Sequence, residues 1–371
     1  MKIAVHCQNL TQAQLPGIGN YLFSLSSALL NLDTTHEYVF ISGRELAHRP
    51  QGPRFQHCVV KPSRFVSYLG FPQACKRLNC DLAFLPKETV PPLLKIPTVI
   101  SVFDLYNFRC PRELRSEIPL SAKAHFWMAK TFHFNRAAKI LTISEDTKKD
   151  LIEMFGVRED KICVTPLGVN TDLFFPRAPE EIEQVKAHYG INGSYFINTS
   201  SYWWGRKNLV RLLEAFALLK RREGFPHQLV ITGKRGPSYE AMQAVIARHR
   251  LQEDVKLLEF IPTSMLPFLI SGAEALVFPS LHEGFGLPVI EAMSCGCPVI
   301  TSSNSALKEV GGAASLFVDP WEVESIVDAM KLIGEDLNLR KQLVFDGVQR
   351  AKQYTWELTA RKTLEAFEAS K

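Results

Sequence analysis

The chain has 371 residues, 46% of them hydrophobic and 22% charged, values that describe a globular protein and exclude a disordered or low-complexity one. No apolar run is long enough for a membrane span, and Met1 to His6 lacks the apolar stretch of a signal peptide, so the expected setting is cytoplasmic. The length exceeds that at which a single core keeps growing, which predicts two domains. Eight cysteines show no paired spacing of a zinc site and are expected to be reduced thiols.

The net charge of +5 is unevenly distributed. Residues 1–170 hold 21 Lys and Arg against 14 Asp and Glu, and the remainder holds 22 against 24. The basic excess of the first half reads equally as scattered solvated side chains or as a patch for peripheral contact with an anionic membrane surface or a phosphate-bearing acceptor. Nucleic acid is not an expected partner, because the cations lack the spacing of any nucleic-acid module.

In chain order, apolar runs alternate with helical patterns, the signature of parallel sheets covered on both faces. The first half gives strands at Lys2 to His6, Tyr38 to Ile41, Leu82 to Leu85, Val99 to Val102 and Lys139 to Ile143. Gly17-Ile-Gly19-Asn-Tyr21 follows the first strand and precedes a Leu-rich helix; alone it is a loop-to-helix turn, and beside a ligand its backbone N–H groups would face a diphosphate. Asp104 stands at the end of the fourth strand, where it reads equally as a turn cap and as a residue that orients substrate. Residues 122–139 mix Phe126, Trp127, Phe132 and Phe134 with Lys123, Lys130, Arg136 and Lys139, a pattern explained by packing on the sheet or by a membrane surface.

Pro and Gly interrupt the periodicity between Pro166 and Pro176, which places the domain seam there and gives domains of 1–170 and 171–371. The second half repeats the alternation, with strands at Tyr195 to Asn198, Gln228 to Thr232, Val255 to Glu259, Ala275 to Phe278 and Pro298 to Thr301. Gly205-Arg206-Lys207 lies ahead of an amphipathic helix whose apolar positions are Leu209, Leu212, Leu213, Phe216 and Leu219, with Asn208 placed as its N-cap. Two cations at a positive helix end oppose its dipole, and a diphosphate would relieve that. No Asp-x-Asp occurs in the chain, so the usual short carboxylate clamp for a divalent ion on a sugar nucleotide is missing and no metal or other cofactor is expected.

Residues 283 to 291, Glu283-Gly284-Phe285-Gly286-Leu287-Pro288-Val-Ile-Glu291, follow an apolar strand. The glycines allow close backbone approach and Pro288 suits the opening of a helix, so Glu291 is expected within its first turn. Such a segment offers donors to phosphate and acceptors to hydroxyls, as a sugar nucleotide requires. Near the end, Trp356 to Ala369 keeps helical spacing with no following strand and is expected to cross a domain boundary.

Gly17-Ile-Gly-Asn-Tyr21, Phe103-Asp-Leu105, Leu141-Thr-Ile-Ser-Glu145, Pro166-Leu-Gly-Val169, Gly205-Arg-Lys-Asn208, Phe278 through Pro288 and Glu291-Ala-Met293 together resemble family 4 of the retaining glycosyltransferases. The resemblance implies an α/β chain of GT-B fold: two facing Rossmann-like, doubly wound domains, a cleft between them, and a last helix (355–371) returning to the N-terminal domain. It implies that Arg206 and Lys207 hold the donor diphosphate, that Glu283 contacts hexose hydroxyls and that Glu291 binds the ribose, with Gly17, Gly19, Gly205, Gly284, Phe285, Gly286 and Leu287 lining the donor and Asp104 near the reacting centre. The expected activity is metal-independent, retaining transfer of a hexose from a nucleoside diphosphate sugar, of the GDP-mannose or UDP-glucose type, to a glycan or lipid-linked hydroxyl in polysaccharide biosynthesis. Both Arg206→Ala and Lys207→Ala are expected to abolish transfer and leave the fold intact. Two positions depart from the family: its His-Asp pair is Phe103-Asp104, and the arginine often found after the Gly-x-Gly loop is Asn20. Phe103 can neither move a proton nor donate to a sugar, which leaves open a sugar-nucleotide-binding protein without transferase activity or a sugar-nucleotide epimerase. A glycosidase using Glu283 and Glu291 would leave Arg206 and Lys207 without a purpose.

Overall fold

The computed structural model describes all residues except 16, 62–65, 107–127 and 260, and the side chains of 129, 130, 201, 202 and 223 are also outside the description. The chain forms two compact units, Met1–Gly168 with Thr355–Lys371, and Val169–Tyr354.

The first unit is a parallel sheet of seven strands: β1 (Lys2–His6), β2 (Glu37–Ser42), β3 (Phe55–Val59), β4 (Leu82–Leu85), β5 (Thr98–Val102), β6 (Lys139–Thr142) and β7 (Ile162–Val164), in the order β3-β2-β1-β4-β5-β6-β7. The second is a parallel sheet of six: β8 (Tyr195–Tyr202), β9 (Gln228–Lys234), β10 (Val255–Leu258), β11 (Ala275–Phe278), β12 (Val299–Ser302) and β13 (Leu316–Val318), ordered β10-β9-β8-β11-β12-β13. Strands such as β4, β5, β11 and β12 are buried along their whole length, because helices cover both faces. That double burial is why β4 and β11 read as unbroken apolar runs.

β3, β7 and β13 were not expected from the sequence. All three are edge strands, and each is only partly buried. β3 interleaves Gln56 and His57 with its apolar residues, and β7 and β13, though apolar, are only three residues long, too short to stand out from the chain.

In each sheet the chain first winds outward in one direction and then starts again beside its first strand. The strand order therefore reverses between β1 and β4 in the first unit and between β8 and β11 in the second. The carboxyl ends of such strand pairs are where open α/β sheets bind ligands.

Helix Leu209–Glu223 buries Leu209, Leu212, Leu213, Phe216 and Leu219, the apolar stripe expected from its spacing. The last helix, Trp356–Glu368, is part of the first unit. Its N-cap Thr355 accepts from Leu358 N–H, Thr359 Oγ1 donates to Pro166 O at 2.6 Å, and Phe367 packs edge-on against Phe84 at 5.4 Å. A Cβ at Gly168 would collide with the backbone of Thr355 and Trp356, so glycine is required for that close approach. The seven cysteines among the described residues are free thiols.

Candidate active site

The best-defined polar site lies at the reversal point of the second sheet. β8 carries an irregularity between Thr199 and Tyr202, opposite Gly233 on β9. Gly233 has φ +140°, and a Cβ there would strike Ser200 O, so this close approach needs glycine. Trp203 then closes the strand end: its backbone N–H donates to Lys234 O at 3.2 Å and its indole N–H to Thr232 O at 3.2 Å. From this anchored point the chain makes a single 3-10 turn, Gly205–Lys207, before the helix.

Asn208 occupies the N-cap position but does not cap. Its φ of 60° is left-handed, whereas a capping side chain needs an extended backbone to reach the first amides. The amide instead donates to Pro279 O at 3.0 Å and Pro320 O at 2.7 Å and accepts from Arg211 at 2.5 Å. It thereby ties the loop after β8 to the loop after β11. A backbone bond from Leu281 N–H to Arg206 O, 2.8 Å, joins the same two loops.

The loop after β11 is held from its other side by helix Ser305–Gly311. Glu283 N–H donates to Ser305 Oγ at 3.1 Å, and Asn304 donates to Leu281 O at 3.0 Å. Gly286, at φ 106°, precedes helix Leu287–Ser294, and a Cβ there would also come within 2.6 Å of Leu307. Pro288 falls in the opening positions of that helix as expected. Glu291 does not fall in the first turn: the helix begins at Leu287, so Glu291 is one full turn inside it. Ser305 and the anchoring role of Asn208 escaped the sequence reading, since single hydroxyls and amides tens of residues apart carry no local signal.

Lys207 Nζ and Glu283 Oε1 are 2.6 Å apart, and each side chain is 9% exposed. Of the two cations expected ahead of the helix, Lys207 is thus paired with the first carboxylate, a contact the spacing did not reveal. Lys207 also lies over the Phe278 ring, 5.1 Å from its centroid. Burial works to raise the Glu283 pKa, but the charges of Lys207 and Arg206 and the hydrogen bond from Lys207 outweigh it and hold Glu283 below the ordinary carboxylate range. Glu291 has no such partner in its electrostatics, and burial pushes it up to about 7. Two carboxylates of one segment are therefore differently poised, one ionised and one near neutrality in its titration.

Phe285 is 3% exposed and its ring packs edge-on against Tyr354 at 5.6 Å, so its side chain serves packing. Gly284 is buried with it, while Leu287 and Gly205 are partly exposed.

The remaining candidates belong to the first unit. Gly17 and Gly19 stand in the opening turn of helix Gly17–Leu32, which starts where a preceding loop was expected. Asp104 lies in the segment after β5, and its Oδ1 accepts from Tyr106 N–H at 3.2 Å, the local turn that was one of its two readings. Phe103 packs edge-on against Tyr21 at 4.9 Å, and the Tyr21 hydroxyl meets Ser101 Oγ at 3.1 Å. In the aromatic and basic stretch, Phe134 is core and Phe132 is exposed, while residues 122–127 lie outside the described residues.

Residues 186–349 match the family model for glycosyl transferases group 1, and residues 16–173 match that for glycosyltransferase family 4. Over 243 residues the chain is 32% identical to the O-antigen chain mannosyltransferase B of Escherichia coli, covering 65% of this chain and 64% of that protein. It is 30% identical over 236 residues to the MMP alpha-(1->4)-mannosyltransferase of Mycolicibacterium hassiacum, covering 62% of this chain and 54% of the relative. The aligned part is thus under two thirds of these relatives, and only 30% of the serotype-specific mannosyltransferase WbdA of Escherichia coli. Among solved structures, sucrose-phosphate synthase from Thermosynechococcus elongatus superposes with a TM-score of 0.79 at 18% identity, over 99% of this chain and 98% of that one. Anabaena HepE in complex with UDP-glucose does so with a TM-score of 0.78 at 16% identity over 100% of both. At such identity the likeness shows the fold.

Proposed function

The chain belongs to the group 1 glycosyl transferases, with the GT-B fold, and we propose that it passes mannose from a nucleoside diphosphate donor to a hydroxyl of a glycan or glycolipid, with retention at the anomeric carbon and without a metal. The observation that carries this reading is the Lys207–Glu283 pair, with Arg206 beside it, at the carboxyl ends of β8 and β11. Cations at a loop-to-helix junction stabilise a diphosphate and offset the charge that grows on it as a leaving group. A carboxylate held ionised in the same place accepts from hexose hydroxyls. Glu291 would take the ribose diol.

Mannose is preferred to glucose because the similar curated proteins are mannosyltransferases by name. Their names also support polysaccharide biosynthesis and a glycan acceptor. In this reading Asp104 orients the acceptor hydroxyl, and the leaving phosphate takes its proton, which is why Phe103 is tolerable. Peripheral membrane contact through the first unit is supported by its basic excess and by the exposed Tyr68, Leu69, Leu93, Met128 and Phe132. Among the described residues no helix is long and apolar enough to cross a membrane.

A panel of GDP, UDP, GDP-mannose and UDP-glucose in thermal-shift assays tests the donor, since a ligand of the native state raises the Tm. Product NMR on a mannan or lipid-linked primer, with and without EDTA, tests retention and metal independence. Stabilisation by none of the four, or loss of transfer in EDTA, would overturn the corresponding part. Phe103 supports one second reading, a sugar-nucleotide binder: GDP-mannose binding with neither transfer nor slow hydrolysis would favour it.

A further inference from the structure

The first sheet has its own reversal point, between β1 and β4, and a polar cluster sits there. His6 is the last residue of β1 and 2% exposed, and Lys87 follows β4 by two residues and is partly buried. Ser67, in the short helical segment Val66–Gly70, joins them: its Oγ is 2.9 Å from His6 Nε2 and 2.9 Å from Lys87 Nζ.

Burial, helped by the charge of Lys87, lowers the His6 pKa to about 3, so the imidazole is neutral. Burial also lowers Lys87 to about 8, against the opposing effect of Glu88. A lysine ammonium has three donors and no acceptor, a hydroxyl has one hydrogen, and a neutral imidazole has one N–H in either tautomer. Within the cluster the acceptors are only the Ser67 oxygen and one ring nitrogen. Hydrogens therefore outnumber acceptors, and His6 Nδ1 is buried without a hydrogen-bond partner among the described residues.

The contrast with the other reversal point is informative. Lys207 is met there by a carboxylate, whereas Lys87 is met by a hydroxyl. An ammonium that is partly buried and, among the described residues, has no carboxylate at hydrogen-bond distance lowers stability if its only role is packing. An oxygen-rich anion at this position would satisfy it.

We propose that Lys87, Ser67 and His6 form a subsite for an oxyanion, phosphate or carboxylate, carried by the acceptor. The identification of the ligand as acceptor rests on the transferase reading above; the anion site itself does not.

The test uses the full chain with its donor site filled by GDP, titrated with inorganic phosphate and, separately, with sodium acetate, while the His6 ring nitrogens are followed by long-range 1H–15N NMR. Saturable shifts of the His6 ring with one anion are expected, and the anion that produces them names the group. Lys87→Gln should weaken the response about tenfold or more, the loss expected of a charge-assisted contact. Lys87→Arg should retain part of it. Ser67→Ala, which keeps the cation, should uncouple the ring from the titration. GDP affinity should be unchanged in all three variants. No saturable shift with either anion, or a response in Lys87→Gln and Ser67→Ala equal to that of the unmodified chain, overturns the proposal. Failure of GDP to bind the unmodified chain would instead sink the donor reading, and the anion titration repeated in Arg206→Ala would still report on this subsite.

Discussion

The ammonium of Lys207 lies 2.6 Å from the carboxylate of Glu283, both nearly buried, although the two residues are 76 positions apart and end different strand loops. Neither acts alone. The pair makes the electrostatics of the site a property of the folded unit: the cation keeps the carboxylate ionised, and the carboxylate keeps a buried cation tolerable.

This coupling revises the expectation that loss of Lys207 spares the fold. Lys207→Met leaves an unpaired buried carboxylate and should cost about 3–5 kcal/mol. The double variant Lys207→Met/Glu283→Gln should regain most of that stability and none of the transfer. Urea denaturation of the four forms gives the cycle, and a loss in the double variant equal to the sum of the two single losses would show the pair to be energetically trivial. Because Lys207 and Arg206 depress the Glu283 pKa, its stabilising contribution is present above the ordinary carboxylate range and is lost as pH falls through the depressed value.

Glu291 should behave in the opposite sense. Burial raises it from 4.5 to about 7, so the folded state holds its proton more tightly than the unfolded chain does. That contribution to stability is complete below about pH 4.5 and is lost as pH rises through about 7. If its carboxylate accepts from the ribose diol, GDP affinity should climb by up to about tenfold per pH unit below 7 and level off above it. Isothermal titration across pH 5.5 to 8, in about four steps, reads this. Glu291→Gln should flatten both profiles; an unchanged GDP profile would remove Glu291 from the ribose site.

Gly286 and Gly17 should separate backbone strain from ligand approach. At Gly286 an added Cβ meets a φ of +106° and Leu307 at 2.6 Å, so Gly286→Ala should cost about 1–3 kcal/mol and displace the start of the Glu291 helix. At Gly17 a Cβ meets nothing within 4 Å, and in a helix alanine is favoured by up to about 1 kcal/mol. Gly17→Ala should therefore melt no lower than the parent chain. A fall in transfer in that variant would report direct approach of substrate, and undiminished kcat/KM would leave Gly17 a helix residue only.

Thr359→Val tests the seat of the last helix. It removes the 2.6 Å bond to Pro166 O without changing shape much, and should cost about 1–3 kcal/mol through the carbonyl left unsatisfied. Hydrogen exchange in Trp356–Glu368 should rise with it; unchanged protection there would show that side-chain packing alone holds the helix.

Much of this architecture was readable from the chain. Strands buried on both faces, such as Leu82–Leu85 and Ala275–Phe278, announce themselves because every residue is apolar, and the Leu209 helix because its stripe recurs at helical spacing. The glycine segment before Glu291 was readable too, since φ +106° and a helix start demand particular residues. The edge strands at Phe55, Ile162 and Leu316 were not, for partial burial imposes no pattern on so few residues.

Local order, periodicity and the residue types of the site were thus fixed by the amino acids in their immediate neighbourhoods, where backbone sterics and burial act over a few positions. The tertiary structure alone decided which charges meet. Asn208 looked like a helix cap and is a strut between loops; the pairing of Lys207 with Glu283 was not visible in either segment; His6, Ser67 and Lys87 had no visible relation until β1 and β4 were placed side by side. Pairings of that kind depend on distances between strand ends, which sheet topology sets and no sequence window contains.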